Sequence, residues 1–208
     1  MFRALCLLLA MLLPGTSCAL EIRRAAACSG VVLRMRGDIR EGDYARFKSQ
    51  FKRNKLIVGL DLSSDGGVLE EGLQIADLVH RKNLAVYVTG QCNSVCAMIF
   101  FSAGKRHFGP QSRIGVHSVS DDRDIEDSGS MLLTVKLARL SAKLGVPNAA
   151  IGKMVITRPR TISYLDQADL SALGASAENP FHYREQSNET GQQVQQGCSP
   201  GETRDAPK

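Results

Sequence analysis

The chain has 208 residues, 43% of them hydrophobic and 23% charged, which suits one domain with a sizeable core and requires no second one. Its formal net charge of +5 is small and spread without a basic block, so charge gives no reason to expect nucleic acid or anionic lipid as a partner. The opening residues, "MFRALCLLLAMLLPGTSCA", carry one cation at Arg3, an apolar run from Ala4 to Leu13, a Pro14-Gly15 break, and small residues at Ser17 and Ala19. That layout predicts a secretory signal cleaved after Ala19. The apolar run is roughly half the length needed to cross a bilayer core, which disfavours the alternative of a retained anchor. No membrane association is expected once the signal is removed, and a secreted or periplasmic location follows.

Export governs how the cysteines are read. Cys6 and Cys18 would leave with the signal, placing Cys28, Cys92, Cys96 and Cys198 in an oxidising compartment. Cys92 and Cys96 stand four apart, near enough in helical geometry for a disulfide that would fix the turn between them. Two buried thiols are the alternative. A metal site is the poorer reading, since no companion pair of ligands lies at suitable spacing. The spacing does not decide whether Cys28 pairs with Cys198.

From Gly30 onward, strand-like runs alternate with helical patterns. "GVVLRMRG" (30–37) predicts a strand, and "YARFKSQFKR" places Tyr44, Phe47 and Phe51 on one helical face behind an Asp43 cap. "LIVGLDL" (56–62) predicts a buried strand ending in "SSDGG". A helix then turns Val68, Leu73, Ala76, Leu78 and Val79 inward. "LAVYVTG" (84–90) is the next strand, and a helix follows Ser94 to about Ala103. "RIGVHSVS" (113–120) is strand-like, "DDRDIEDSGS" is an acidic loop, and helices are expected over 130–144, from Pro147, and from Asp166 to Leu173. The alternation predicts an α/β fold with a largely parallel sheet, whose functional groups collect where loops leave strand ends. From Ala177 the chain is polar and glutamine-rich, which predicts a disordered tail. "NET" at 188–190 matches a glycosylation acceptor, a match common by chance.

The segment "QCNSVCAMIFFSAGKRH" (91–107) isolates Ser94 between two cysteines at a helix start. A serine hydroxyl needs a base and oxyanion donors before it acts as a nucleophile. The Val95 amide, at the positive end of the helix, is one natural donor, and the Gly66-Gly67 pair could bring a second backbone close. Among the histidines, His80 ends a helix, His107 follows "GKR" and looks like surface, and His182 borders the tail. His117, inside the apolar "IGVHS", is the best base. A capping serine and a satisfied core histidine are the plain alternatives.

The order "LDLSSDGG", amphipathic helix, strand, "GQCNSVCAMIFFSAGKRH", "IGVHS" resembles the Clp protease proteolytic subunit and its crotonase-superfamily relatives, particularly small exported bacterial proteins of that type. The likeness covers about residues 30–175 and is most specific over 56–118. It implies a single domain (20–176) with a ClpP/crotonase-like fold of repeated ββα units, between the signal (1–19) and the tail (177–208). It also implies Ser94 as nucleophile, His117 as base, the amides of Gly66 and Val95 as oxyanion hole, no cofactor or metal, and a homo-oligomer. Two departures stand out. Asp65 occupies a position where the family usually has proline. The family's acid falls in "ITRPRTISYLD" (156–166), where the closest residues are Arg160 and Thr161 and no carboxylate matches. Asp166 and Asp169 come later and are better explained as a helix start.

The reading is an exported serine peptidase that acts on peptides or loosely folded chains without an ATP-driven unfoldase. The alternative is an inactive relative that binds peptides or assembles with itself. An acyl-CoA-binding crotonase relative is the weakest, because coenzyme A is not expected outside the cytoplasm.

Overall fold

The computed structural model describes residues 19–52, 56–121, 123 and 125–183. The expected signal up to Cys18 and most of the tail, including "NET" and Cys198, lie outside them. One seven-stranded sheet runs in the order β1-β2-β3-β4-β6-β7, with β5 joined to β4 beside this path. The strands are β1 (Glu21–Ala27), β2 (Gly30–Arg36), β3 (Ile57–Ser64), β4 (Ala85–Asn93), β5 (Lys105–Phe108), β6 (Arg113–Val116) and β7 (Ser163–Tyr164). The helices are α1 (Asp43–Ser49), α2 (Leu69–Arg81), α3 (Val95–Phe101), α4 (Ser128–Lys143), α5 (Asn148–Ile156) and α6 (Gln167–Ala172). Pairing from β2 to β6 is parallel, and only the outer pairs β1–β2 and β6–β7 are antiparallel. This is the α/β architecture expected from the alternation.

β4 holds the sheet together and also divides it. Its first half, Ala85 to Val88, pairs with β5, while Gln91 to Asn93 pair with β6. The register against β3 shifts over the same interval, so Thr89 and Gly90 have no ladder partner on either side.

The main core lies under the helices, where Leu60 and Leu62 of β3 and Val86 and Val88 of β4 meet Ile75 of α2 and the wholly buried "VCAMIFF" of α3. The opposite face has a smaller cluster of Val32, Tyr87, Ala27 and Phe181.

Several local expectations need correcting. β1 lies outside the expected elements, because "EIRRAAA" has no apolar run. Asp43 is buried in the first turn of α1 rather than capping it, with Gly42 at the cap and the carboxylate accepting Arg40 N–H at 2.8 Å. In α2 Ile75 is as fully buried as Val79, while Val68 precedes the helix and is exposed. His107 is not surface: it lies in β5 and is 7% exposed. β6 ends at Val116, so His117 stands just beyond the strand. α4 begins at Ser128, inside the segment read as acidic loop, because Asp127 and Ser130 form a reciprocal capping box. Within residues 177–183, read as the start of the tail, Phe181 is 5% exposed and rests on Gly59, where a Cβ would lie 2.4 Å from its Cζ, while Ala177, Glu178, Asn179 and His182 are exposed.

Candidate active site

The site is built where β4 turns into α3. Ser94 stands at the N-cap of α3 with φ 57 and ψ −127, a backbone conformation that costs a non-glycine residue of order 1–3 kcal/mol and persists only where its surroundings impose it. Three features impose it. A disulfide joins Cys92, near the end of β4, to Cys96 on the first turn of α3, with their Cα atoms 5.1 Å apart. Ser94 N–H donates to Gly115 O at 3.0 Å, tying the turn to β6. Gly66 presses against it from the β3 loop, where a Cβ would lie 2.7 Å from Ser94 Cβ. The serine hydroxyl does not cap the helix. It has no hydrogen-bond partner among the described residues and is half-buried.

Ser94 and His117 line one cleft of about 680 Å³, together with Gly67, Val95 and an apolar wall that includes Met98, Leu137 and Met154. Nδ1 of His117 lies 2.7 Å from the carbonyl oxygen of Ser118. A carbonyl only accepts, so Nδ1 is the donor, and in the neutral ring Nε2 is then the nitrogen with the lone pair. The two catalytic candidates share the cleft without a direct hydrogen bond, an interaction that often tightens only when substrate binds.

The oxyanion loop differs from expectation by one residue. Gly66 is buried, its N–H donates to Ser64 Oγ at 3.1 Å, and its carbonyl accepts Ile39 N–H at 2.7 Å. Both of its backbone groups are already used. Gly67 lines the cleft at φ 131, and its N–H has no partner among the described residues. Val95, at the first position of α3, lines the same cleft. Gly67 and Val95 are therefore the amide pair that the structure offers. Two adjacent glycines could not be told apart by sequence, because the distinction lies in which amide the β3 turn consumes.

Asp65 also lines the cleft, and its carboxylate accepts Asn93 Nδ2 at 2.8 Å. Asp166 caps α6, and Asp166 and Asp169 both bind Lys153 on α5, so the late aspartates serve the fold. The segment in which the acid was expected contributes Pro159 to the cleft wall and Thr157 O as the acceptor of Ser118 N–H at 2.8 Å. The other histidines lie outside the cleft. His80 and His182 are exposed. His107 is buried with neither ring nitrogen hydrogen-bonded among the described residues, and that desolvation lowers its pKa against the opposing pull of Glu178. No group of three or more metal-binding side chains occurs among the described residues.

The family model for Clp protease matches residues 49–141. Among solved structures, ClpP1 of Listeria monocytogenes aligns at 20% identity and TM-score 0.56, covering 71% of this chain and 91% of that one. A point mutant of the same Listeria protein aligns at 20% identity and TM-score 0.55, covering 72% and 92%. No curated protein matches. The cleft thus lies within a ClpP/crotonase-like fold, and Ser94 and His117 both fall within residues 49–141, the stretch similar to the Clp protease family model.

Proposed function

We propose that the chain is an exported serine peptidase in which Ser94 is the nucleophile and His117 the general base. One observation carries this reading: a serine held at positive φ, its hydroxyl without a partner among the described residues, shares a cleft with a histidine whose Nδ1 is engaged by a carbonyl and whose Nε2 has no partner among those residues. As Ser94 Oγ attacks the scissile carbonyl carbon, its proton passes to Nε2. The amides of Gly67 and Val95 receive the oxyanion, each donor being worth about 2.7–4 kcal/mol in sites of this type. The imidazolium then protonates the leaving amine, and water releases the acyl group by the reverse proton path.

The signal-like leader and the Cys92–Cys96 disulfide support placement in an oxidising compartment, secreted or periplasmic. There the enzyme would act on peptides or loose chains without an ATP-driven unfoldase. A homo-oligomer is part of the proposal. Met131, Leu132, Leu133 and Val135 of α4 are exposed, an apolar surface of the kind that self-association covers.

The test is labelling of the mature protein by a fluorophosphonate, read by intact mass, beside Ser94→Ala and His117→Ala. Labelling of the parent that is lost in both variants is expected. A folded parent that resists labelling would favour the second reading, an inactive binding or assembly protein, for which the lack of a carboxylate on His117 Nδ1 speaks.

A further inference from the structure

The expected acid is missing, yet His117 is oriented, and the oriented state has an identifiable source. We infer that the peptide group joining Ser118 to Val119 takes the place of the orienting carboxylate, and that Thr134 and Glu126 are its positioning residues. The inference rests on the peptidase reading of Ser94 and His117.

The carbonyl of this peptide accepts from His117 Nδ1 at 2.7 Å. Its N–H, on the opposite edge of the same plane, donates to Thr134 Oγ1 on α4 at 2.9 Å. Because the peptide is rigid, fixing its N–H also fixes the direction of its carbonyl. A donor engaged at one edge polarises the acceptor at the other, which strengthens the bond to the imidazole. Thr134 is itself buried and held, its hydroxyl donating to Ser130 O at 3.1 Å.

Ser118 is 1% exposed and is anchored at two further points. Its N–H reaches Thr157 O at 2.8 Å, and its hydroxyl donates to the carboxylate of Glu126. The Glu126 carboxylate is thus one hydroxyl removed from the peptide that orients the imidazole. A neutral carbonyl sets the tautomer as a carboxylate would, but it contributes less to stabilising the imidazolium. Glu126 supplies negative charge from outside, through Ser118. The cleft's other carboxylates are committed elsewhere: Asp65 to Asn93, and Asp121 to Arg123 and to the N–H of Ile125.

The experiment combines two readouts on Thr134→Val, Thr134→Ser, Glu126→Ala and Glu126→Gln in the full mature chain. The first is the ¹⁵N spectrum of the His117 ring, which reports the tautomer whether or not the protein is active. The second is the fluorophosphonate labelling rate. In the parent, the ring is expected as the Nδ1–H form. Thr134→Val and Glu126→Ala should give a mixture of tautomers and label about tenfold more slowly, a fraction of the 10²–10⁴ that a general base supplies. Thr134→Ser, which keeps the hydroxyl, should restore both readouts, whereas Glu126→Gln, which keeps an oxygen acceptor for Ser118 but no charge, should restore the tautomer and leave labelling slow. A parent ring in the Nε2–H form, or a tautomer unmoved in Thr134→Val and Glu126→Ala, overturns the inference. A parent that shows the fixed tautomer and its loss in the variants, but never labels, upholds the positioning while sinking the peptidase reading.

Discussion

The two faces of the sheet treat polar groups in opposite ways. Away from the helices, Asp61 is 3% exposed and its carboxylate is fully used: Arg36 at 2.7 Å, Thr89 at 2.8 Å and Tyr183 at 3.2 Å donate to it, with Arg34 at 3.5 Å. On the helical side, Ser94 Oγ has no partner among the described residues and His117 is bonded at one nitrogen. Both sites are ordered, but only one has hydrogen-bonding capacity to spare. A saturated cluster stabilises a fold, whereas reactivity needs a group that is held in place and left unsatisfied.

The largest effect should come from breaking the saturated side. Asp61→Ala leaves Arg34 and Arg36 without their carboxylate and should cost about 3 kcal/mol, the lower end for a buried pair because both arginines keep water access. Urea denaturation measures this, and labelling of the remaining folded protein should be unchanged. A large change in labelling would mean that the two faces are coupled. Next, replacing Cys92 and Cys96 together by alanine should cost about 2 kcal/mol for so short a loop. It should slow labelling far more than its stability effect explains, since it frees the Ser94 turn. Equal labelling in the disulfide-free protein would make the bridge a plain staple.

Smaller still, Ser94→Gly should abolish labelling and yet raise stability by about 1 kcal/mol, because glycine tolerates φ 57. A destabilised glycine variant would show that the turn is not strained. Last, Tyr183→Phe should cost no more than about 1 kcal/mol at neutral pH, since Asp61 keeps its other partners. Its signature is alkaline. The Tyr183 phenol is pushed up to about 12, by burial first and by Asp61 next, so the unfolded chain ionises before the folded one. The stabilisation is complete below pH 10.0, the ordinary value, and is lost as the pH climbs towards 12. Thermal melts across that window should show the slope in the parent and a shallower one in Tyr183→Phe.

The sequence made the helical side of this comparison more legible than the other. β3, α2, β4 and α3 alternate clearly between apolar and turn chemistry, and that alternation set Ser94 and His117 at adjoining strand ends. β1 and β5 gave weaker signals, since "EIRRAAA" and "KRHF" carry charges that only pairing and cover accommodate. Phe181 and Tyr183 sit within a polar tail, and no local pattern announces that Gly59 leaves room for an aromatic ring. Glu126 and Thr134 were invisible for another reason. They act through a peptide plane, and a backbone group leaves no residue type to recognise.

The interrupted ladder of β4 gives the molecule a waist. Across Thr89 and Gly90 the partner of this strand changes from β5 to β6, so β4 consists of two blocks that pair with different neighbours. The block ending at Asn93 carries the Ser94 turn and answers to β6, while the block beginning at Ala85 answers to β5 and the core.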